Sequence, residues 1–339
     1  MNMYPLIFTP FLRPMIWGGD RIAPFKGIET DLEKIGESWE ISGHPDHETA
    51  VAEGPLAGKT VNELVALFKE RLVGEKVYAR YGDRFPLLIK FIDAAADLSI
   101  QVHPDDAMAR RVEGEPSGKT EMWYVVASAP GGHLFSGLSR EITPEEFRTL
   151  VAEGRITDAL ARYDVAPGDV FFLPAGRIHA ICGGVLLAEI QQTSDLTYRI
   201  FDYNRPGLDG KPRALHVDKA AEAVDYTVHP SYKTDYEVVP DGVTPLVDCP
   251  YFTTELFDLE KKFRLPLEEV DSFVVVICVE GEGELLDSEP VFDEEGRPGP
   301  TKGHAVTLRR GMSVLIPATS KGLTFKPSGR MKVLTTFIR

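Results

Sequence analysis

Pro167-Gly168-Asp169-Val170-Phe171-Phe172-Leu173-Pro174-Ala175 returns later in the chain as Arg310-Gly311-Met312-Ser313-Val314-Leu315-Ile316-Pro317-Ala318. Gly168 and Gly311, Pro174 and Pro317, and Ala175 and Ala318 are each 143 positions apart. Each copy reads as a glycine turn, a short apolar strand and a Pro-Ala stop. Upstream of each lies an apolar strand leading to glycines, Trp123–Gly132 and Val275–Gly283. Recurrence at a constant offset predicts two copies of one β-architecture.

Working outward, short β-branched and aromatic runs recur between Gly and Pro. They are Phe85–Ile92, Leu98–Val102, Met122–Ala127, Asp169–Leu173, Val185–Gln191, Leu196–Phe201, Phe252–Leu259, Ser272–Val279, Ser313–Ile316 and Met331–Phe337. Many short strands with frequent turns predict a mainly β protein built as sandwiches or jelly rolls. Helices are few. Thr60-Val-Asn-Glu63 and Thr143-Pro-Glu-Glu146 read as capping boxes, the first opening a helix that ends before Gly74. A third helix is expected from His216 to about Val224. The proline-rich stretch His229–Pro250 divides the chain into domains 1–240 and 241–339. The acidic run Asp293-Glu-Glu295 reads as a solvated turn.

The chain of 339 residues carries a net charge of −15. That balance argues against binding nucleic acid or an acidic membrane, both of which need a positive field. It leaves a small anionic substrate open, since a few local cations dominate within a Debye length. Cys182, Cys249 and Cys278 form no CxxC pair, so neither a disulfide framework nor a thiolate zinc site is expected. With no signal peptide and no long apolar run, a cytoplasmic location is expected.

The chemistry concentrates in three places. Ser99-Ile-Gln101-Val-His103 puts Ser99, Gln101 and His103 on one strand face, with Ile100 and Val102 on the other. Lys119-Thr-Glu121 repeats that parity, and His179 follows a tight strand end in Leu173-Pro-Ala-Gly-Arg-Ile-His179. Taken singly, each reads as a buried polar residue bonded to backbone. Together, two histidines, a carboxylate and a glutamine carbonyl make a plausible site for Zn²⁺. Trp17, Trp39 and Trp123 read as core or pocket-wall aromatics.

These motifs resemble the type I phosphomannose isomerases, a bicupin family. The resemblance rests on Trp17-Gly-Gly19, Gly36-Glu-Ser-Trp-Glu-Ile-Ser42, Phe85-Pro-Leu-Leu-Ile-Lys90, Leu98-Ser-Ile-Gln-Val-His-Pro104, Gly118-Lys-Thr-Glu-Met-Trp123, Leu173–His179 and Arg199, in family order. It implies two jelly-roll (cupin) barrels with a few added helices, and interconversion of mannose 6-phosphate and fructose 6-phosphate. It further implies one Zn²⁺ per chain held by Gln101, His103, Glu121 and His179. Arg199, Glu189 and Lys119 take catalytic positions, and Lys90 and Ser99 face the sugar phosphate. The segment Ile200-Phe-Asp-Tyr-Asn-Arg205 departs from longer family members, which leaves Arg205 without an assigned role. The partner is a small sugar phosphate, and a monomer or weak homodimer is expected.

Two alternatives remain at this point: another metal-dependent cupin enzyme, an epimerase or oxygenase, or a sugar-sensing cupin. The Gln-x-His opening differs from the His-x-His of many cupin oxygenases, and no helix-turn-helix accompanies the barrels. The C-terminal domain is expected to hold no metal. The 143-residue offset carries His179 onto Gly322, strand alignment puts Ser272 near the Glu121 position, and His304 is that domain's one histidine. A hairpin-like pairing is expected to bring Glu189 against Arg199.

Overall fold

The computed structural model describes residues 3–207, 210–289 and 302–339; the run Asp293–Glu295 lies outside them. The N-terminal half contains β1 (Leu6–Ile7), β2 (Phe11–Gly19), β3 (Ile35–Ser42), β4 (Leu87–Ala94), β5 (Ile100–Val102) and β6 (Glu121–Ser128). It continues with β7 (His133–Leu138), β8 (Leu160–Asp164), β9 (Val170–Leu173), β10 (His179–Ile181), β11 (Val185–Gln192) and β12 (Tyr198–Phe201). Two sheets face each other, ordered β2-β3-β4-β11-β6-β9 and β12-β5-β10-β7-β8. The C-terminal half adds β13 (Val243–Asp248), β14 (Thr253–Leu259), β15 (Phe263–Pro266), β16 (Val274–Glu280), β17 (Glu282–Glu289), β18 (Lys302–Arg309), β19 (Ser313–Ile316), β20 (Gly322–Pro327) and β21 (Met331–Phe337). Its sheets are β1-β19-β16-β21-β14-β13 and β15-β20-β17-β18.

The repeat is physical. The two apolar runs are β9 and β19, and the glycines before them take the left-handed φ values +94° at Gly168 and +82° at Gly311. A side chain is strained there, which is why glycine opens both copies. The offset from His179, first residue of β10, lands on Gly322, first residue of β20. The halves are nonetheless stitched together. β1 leaves the N-terminal half to pair with β19, Leu6 opposite Leu315. Phe85 packs on Phe273 with ring centroids 4.7 Å apart.

Alternation along the central strands decides what faces inward. On β4, Leu87, Ile89 and Phe91 join a core that continues into Val275, Ile277, Leu315 and Leu334 of the C-terminal half. Lys90 therefore points the other way, into the space between the two N-terminal sheets. On β11, Ala188 and Ile190 follow Leu87, while Leu187 lies with Ile92 and Trp123 on the inner side; Glu189 shares that parity. The facing sheet puts Ile100, Val102, Ala180, Tyr198 and Ile200 outward, under helices Pro144–Ala152 and Val217–Ala223.

The capping expectations divide. At Thr60 the box is complete: the Thr60 hydroxyl accepts from the Glu63 amide and the Glu63 carboxylate from the Thr60 amide. At Thr143 only the first half forms, because Glu146 pairs with Arg140 at 2.7 Å. The helix expected to run on to Gly74 breaks at Lys69, φ +51°, into Val61–Phe68 and Glu70–Val73. The third helix is Val217–Ala223. Among the described residues no helix is long and apolar enough to cross a membrane.

Candidate metal centre and active-site cavity

Register builds the site in two rows. On the β12-β5-β10-β7 sheet, Arg199 lies opposite Gln101, Gln101 opposite His179, and His179 opposite Ser136. On the facing sheet, Trp39 lies opposite Lys90, Lys90 opposite Glu189, and Glu189 opposite Trp123. Cross-strand neighbours on one face stand about 4.5–5.5 Å apart at Cβ, so each row is a continuous line of polar chemistry. Glu121 sits one step along, opposite Gln191.

Three metal-ligating groups converge. His103, Glu121 and His179 are buried and offer ligand atoms all within 4.8 Å of one another. His179 Nε2 is 3.3 Å from Glu121 Oε1, and His103 Nε2 is 3.6 Å from Glu121 Oε2. Both Glu121 oxygens and His103 Nε2 are buried without a hydrogen-bond partner. Orphaned groups of this kind are costly unless something fills the space between them. Behind the cluster each imidazole donates from Nδ1 to a carbonyl, His103 to Leu196 at 2.7 Å and His179 to Arg177 at 2.8 Å. That arrangement puts the lone pair on Nε2, aimed at the centre. Burial, reinforced by the Lys119 charge, holds His103 well below the usual histidine range. Burial likewise takes His179 down to about 4. Both rings are therefore neutral, as ligands must be. Gln101 reaches the same point, its Nε2 being 3.4 Å from His179 Nε2. The donor set fits Zn²⁺: two imidazoles, a carboxylate and an amide, with the orphaned atoms marking where the ion would sit.

Beside this cluster lies a cavity of about 600 Å³ into which Lys90, Ser99, Gln101, Lys119, Glu189 and Arg199 all open. Glu189 accepts a 2.9 Å hydrogen bond from Trp123 Nε1, and Lys90 Nζ lies 3.3 Å from its other oxygen. Burial pushes the Glu189 carboxyl up, but Lys90 and Lys119 outweigh it, so the group is held below its ordinary value and is ionised. For Lys119 the balance runs oppositely: burial disfavours the ammonium, yet Glu121, Glu189 and Asp195 prevail and hold it above its usual range. Lys119 is a cation here, its Nζ 3.3 Å from Glu121 Oε2 as an ion pair without hydrogen-bond geometry. Trp17, Trp39 and Trp123 are all buried, Trp17 and Trp123 on the inner side with Leu187 and Trp39 beside the Lys90 ammonium.

One sequence expectation is corrected. Glu189 and Arg199 do not form a hairpin-like pair. β11 lies between β4 and β6, whereas β12 joins β5 on the facing sheet. Glu189 pairs with Lys90 instead, and Arg199 Nη1 donates to the Ala214 carbonyl at 3.1 Å, leaving its buried Nε without a partner. Sequence reasoning also missed groups lining the cavity: Arg13, Glu37, Asp195, Arg213 and His216. Glu37 stood inside the quoted motif Gly36–Ser42 and could have been flagged. Arg213 sits in a loop with no periodicity, so only tertiary structure reveals it.

The sequence profile for "Phosphomannose isomerase type I, catalytic domain" matches residues 7–123. Over 294 residues the chain is 36% identical to mannose-6-phosphate isomerase ManA of Bacillus subtilis, covering 86% of this chain and 90% of that protein. It is 32% identical over 323 residues to a mannose-6-phosphate isomerase of Streptococcus mutans, covering 95% of each. The crystal structure of the mannose 6-phosphate isomerase from B. subtilis matches with a TM-score of 0.84 at 32% identity, over 98% of this chain and 99% of that one. A putative mannosephosphate isomerase from Archaeoglobus fulgidus shares the fold, with a TM-score of 0.77 at 21% identity.

Proposed function

Because the chain belongs to the type I phosphomannose isomerases and interconverts mannose 6-phosphate and fructose 6-phosphate, we propose that this cavity carries the reaction. In our reading one Zn²⁺ per chain is held by His103, Glu121, His179 and Gln101. The glutamine would take part through its amide oxygen after a half-turn of the amide. The observation that carries this reading is the set of buried, unpartnered ligand atoms facing one point beside the cavity. The unit 241–339 is read as metal-free and the unit 1–240 as catalytic.

The reaction moves a proton between C1 and C2 of the open-chain sugar through an enediolate. A bound Zn²⁺ supplies Lewis-acid stabilisation of the O1/O2 pair. Glu189 takes and returns the proton: it is ionised, buried, and aligned by Trp123 and Lys90. Lys119, charged and next to Glu121, donates to the oxygen on which negative charge develops. Arg199, which lines the cavity, adds a permanent cation for the same oxygens. The expected location is the cytoplasm.

A coupled assay with mannose 6-phosphate tests the whole reading. Activity should disappear on incubation with chelator, return with Zn²⁺, and fall by about 10²–10⁴-fold in Glu189→Gln without loss of bound metal. Activity indifferent to chelation, or a Glu189→Gln enzyme at wild-type rate, would overturn it.

A further inference from the structure

Building on the isomerase reading above, we propose that the substrate phosphate is held at the cavity mouth by Arg213 and His216, with Arg199 between them and the metal centre, and not by Lys90 or Ser99. Lys90 is an unsuitable phosphate anchor. Its ammonium is committed to Glu189 at 3.3 Å, lies 3.9 Å from Glu37, and sits 5.0 Å from the Trp39 ring centroid. A phosphate drawn there would meet two carboxylates. Ser99 Oγ stands 3.5 Å from Gln101, at the metal end.

The opposite end is built differently. Asp202, buried, accepts from two guanidinium groups at once. Arg205 donates from Nε at 3.0 Å, and Arg213 donates from Nε at 2.7 Å and Nη2 at 2.6 Å. Two guanidinium groups against the single Asp202 carboxylate leave this end of the cavity net positive. The fork to Asp202 uses one edge of the Arg213 guanidinium, so its Nη1 edge is the one left to present to the cavity that Arg213 lines. Asp202 thus fixes Arg213 before substrate arrives. His216 also lines the cavity, and its Nδ1 accepts from the Arg199 amide at 3.1 Å, so Nε2 carries its proton and can donate.

The spacing suits the sugar. Arg199 lies directly across from Gln101, and its Nη1 bonds the carbonyl of Ala214, the residue after Arg213. The order metal ligand, Arg199, Arg213 therefore runs outward along the cavity. In mannose 6-phosphate the phosphate hangs from C6, four carbons beyond C2, so seating C1 and C2 at the metal end directs it outward.

The test compares kcat/KM for mannose 6-phosphate with that for free mannose at high concentration, in wild type, Arg213→Ala and Arg213→Lys. Losing a charge-assisted fork should lower the phosphorylated-to-free ratio on the order of 10–100-fold in Arg213→Ala. The loss should lie mainly in KM, and competitive inhibition by inorganic phosphate should weaken in parallel. Arg213→Lys should recover part of both. If Arg213 only neutralises Asp202, the melting temperature falls while the ratio and the phosphate inhibition stay put, and the proposal is overturned. Should Arg213→Ala not fold, the same two readouts on Arg213→Lys and His216→Ala decide it. Wild-type enzyme inactive on mannose 6-phosphate would instead sink the isomerase reading itself.

Discussion

Replacing Trp123 by phenylalanine isolates one hydrogen bond to the proposed base. Trp123 Nε1 donates to Glu189 Oε2 at 2.9 Å, and both residues are buried. Phenylalanine keeps an aromatic ring beside His179, which now packs edge-on at 5.2 Å, but removes the donor. A hydrogen bond to a buried charged group contributes about 1.5–3 kcal/mol, and about 1.4 kcal/mol corresponds to one pH unit. The bond favours the ionised carboxylate, so its loss raises the Glu189 pKa. Lys90 and Lys119 remain and keep the carboxyl low, so the acidic limb of kcat/KM should move up by about one pH unit. Stability follows the same sign. A carboxyl held below its ordinary value stabilises the fold above the unfolded pKa and loses that contribution as pH falls through the folded pKa. Trp123→Phe should therefore melt a few degrees lower at neutral pH, and the gap should shrink toward acid. The pH–rate profile from the coupled assay and thermal melts across pH read both effects. An acidic limb that stays in place, or moves down, in a folded variant would show that Glu189 is not the group whose ionisation governs turnover.

Arg199→Ala should lower kcat on the order of 10²-fold or more with KM changed far less, and Arg199→Lys should restore little, because a point charge lacks the planar fork; steady-state kinetics on both variants checks this. His179→Ala should lose bound zinc by metal analysis, while wild type should hold one ion per chain and none in 241–339; two ions per chain would refute the metal-free reading. Gly74→Ala should destabilise by at least about 1 kcal/mol with kinetics unchanged in the folded fraction, since Gly74 has φ +96° and an added Cβ would lie 2.3 Å from the Asp271 carbonyl; denaturant unfolding measures it.

Much of this protein is local and could be read from the chain. The 143-residue recurrence stood for two real strands, β9 and β19, because a left-handed glycine turn and an apolar run carry their meaning within nine residues. Strand parity placed Gln101 on the inward face, because the pleat alternates whatever the partner strand. Strand partnership is not local. The Glu189–Arg199 pairing failed for that reason: the pair is ten residues apart in sequence yet on facing sheets, and Lys90, ninety-nine positions before Glu189, is the true cross-strand neighbour. The perturbation of a buried charge draws on the same long-range geometry: besides its near neighbour Glu121, Lys119 is held up by Glu189 and Asp195, seventy or more positions away. Arg213 carried no signal at all in the sequence. Its significance arises only when the chain folds Asp202 beneath it and brings the loop over a cavity that is lined in part by Lys90 and Gln101, more than a hundred residues away.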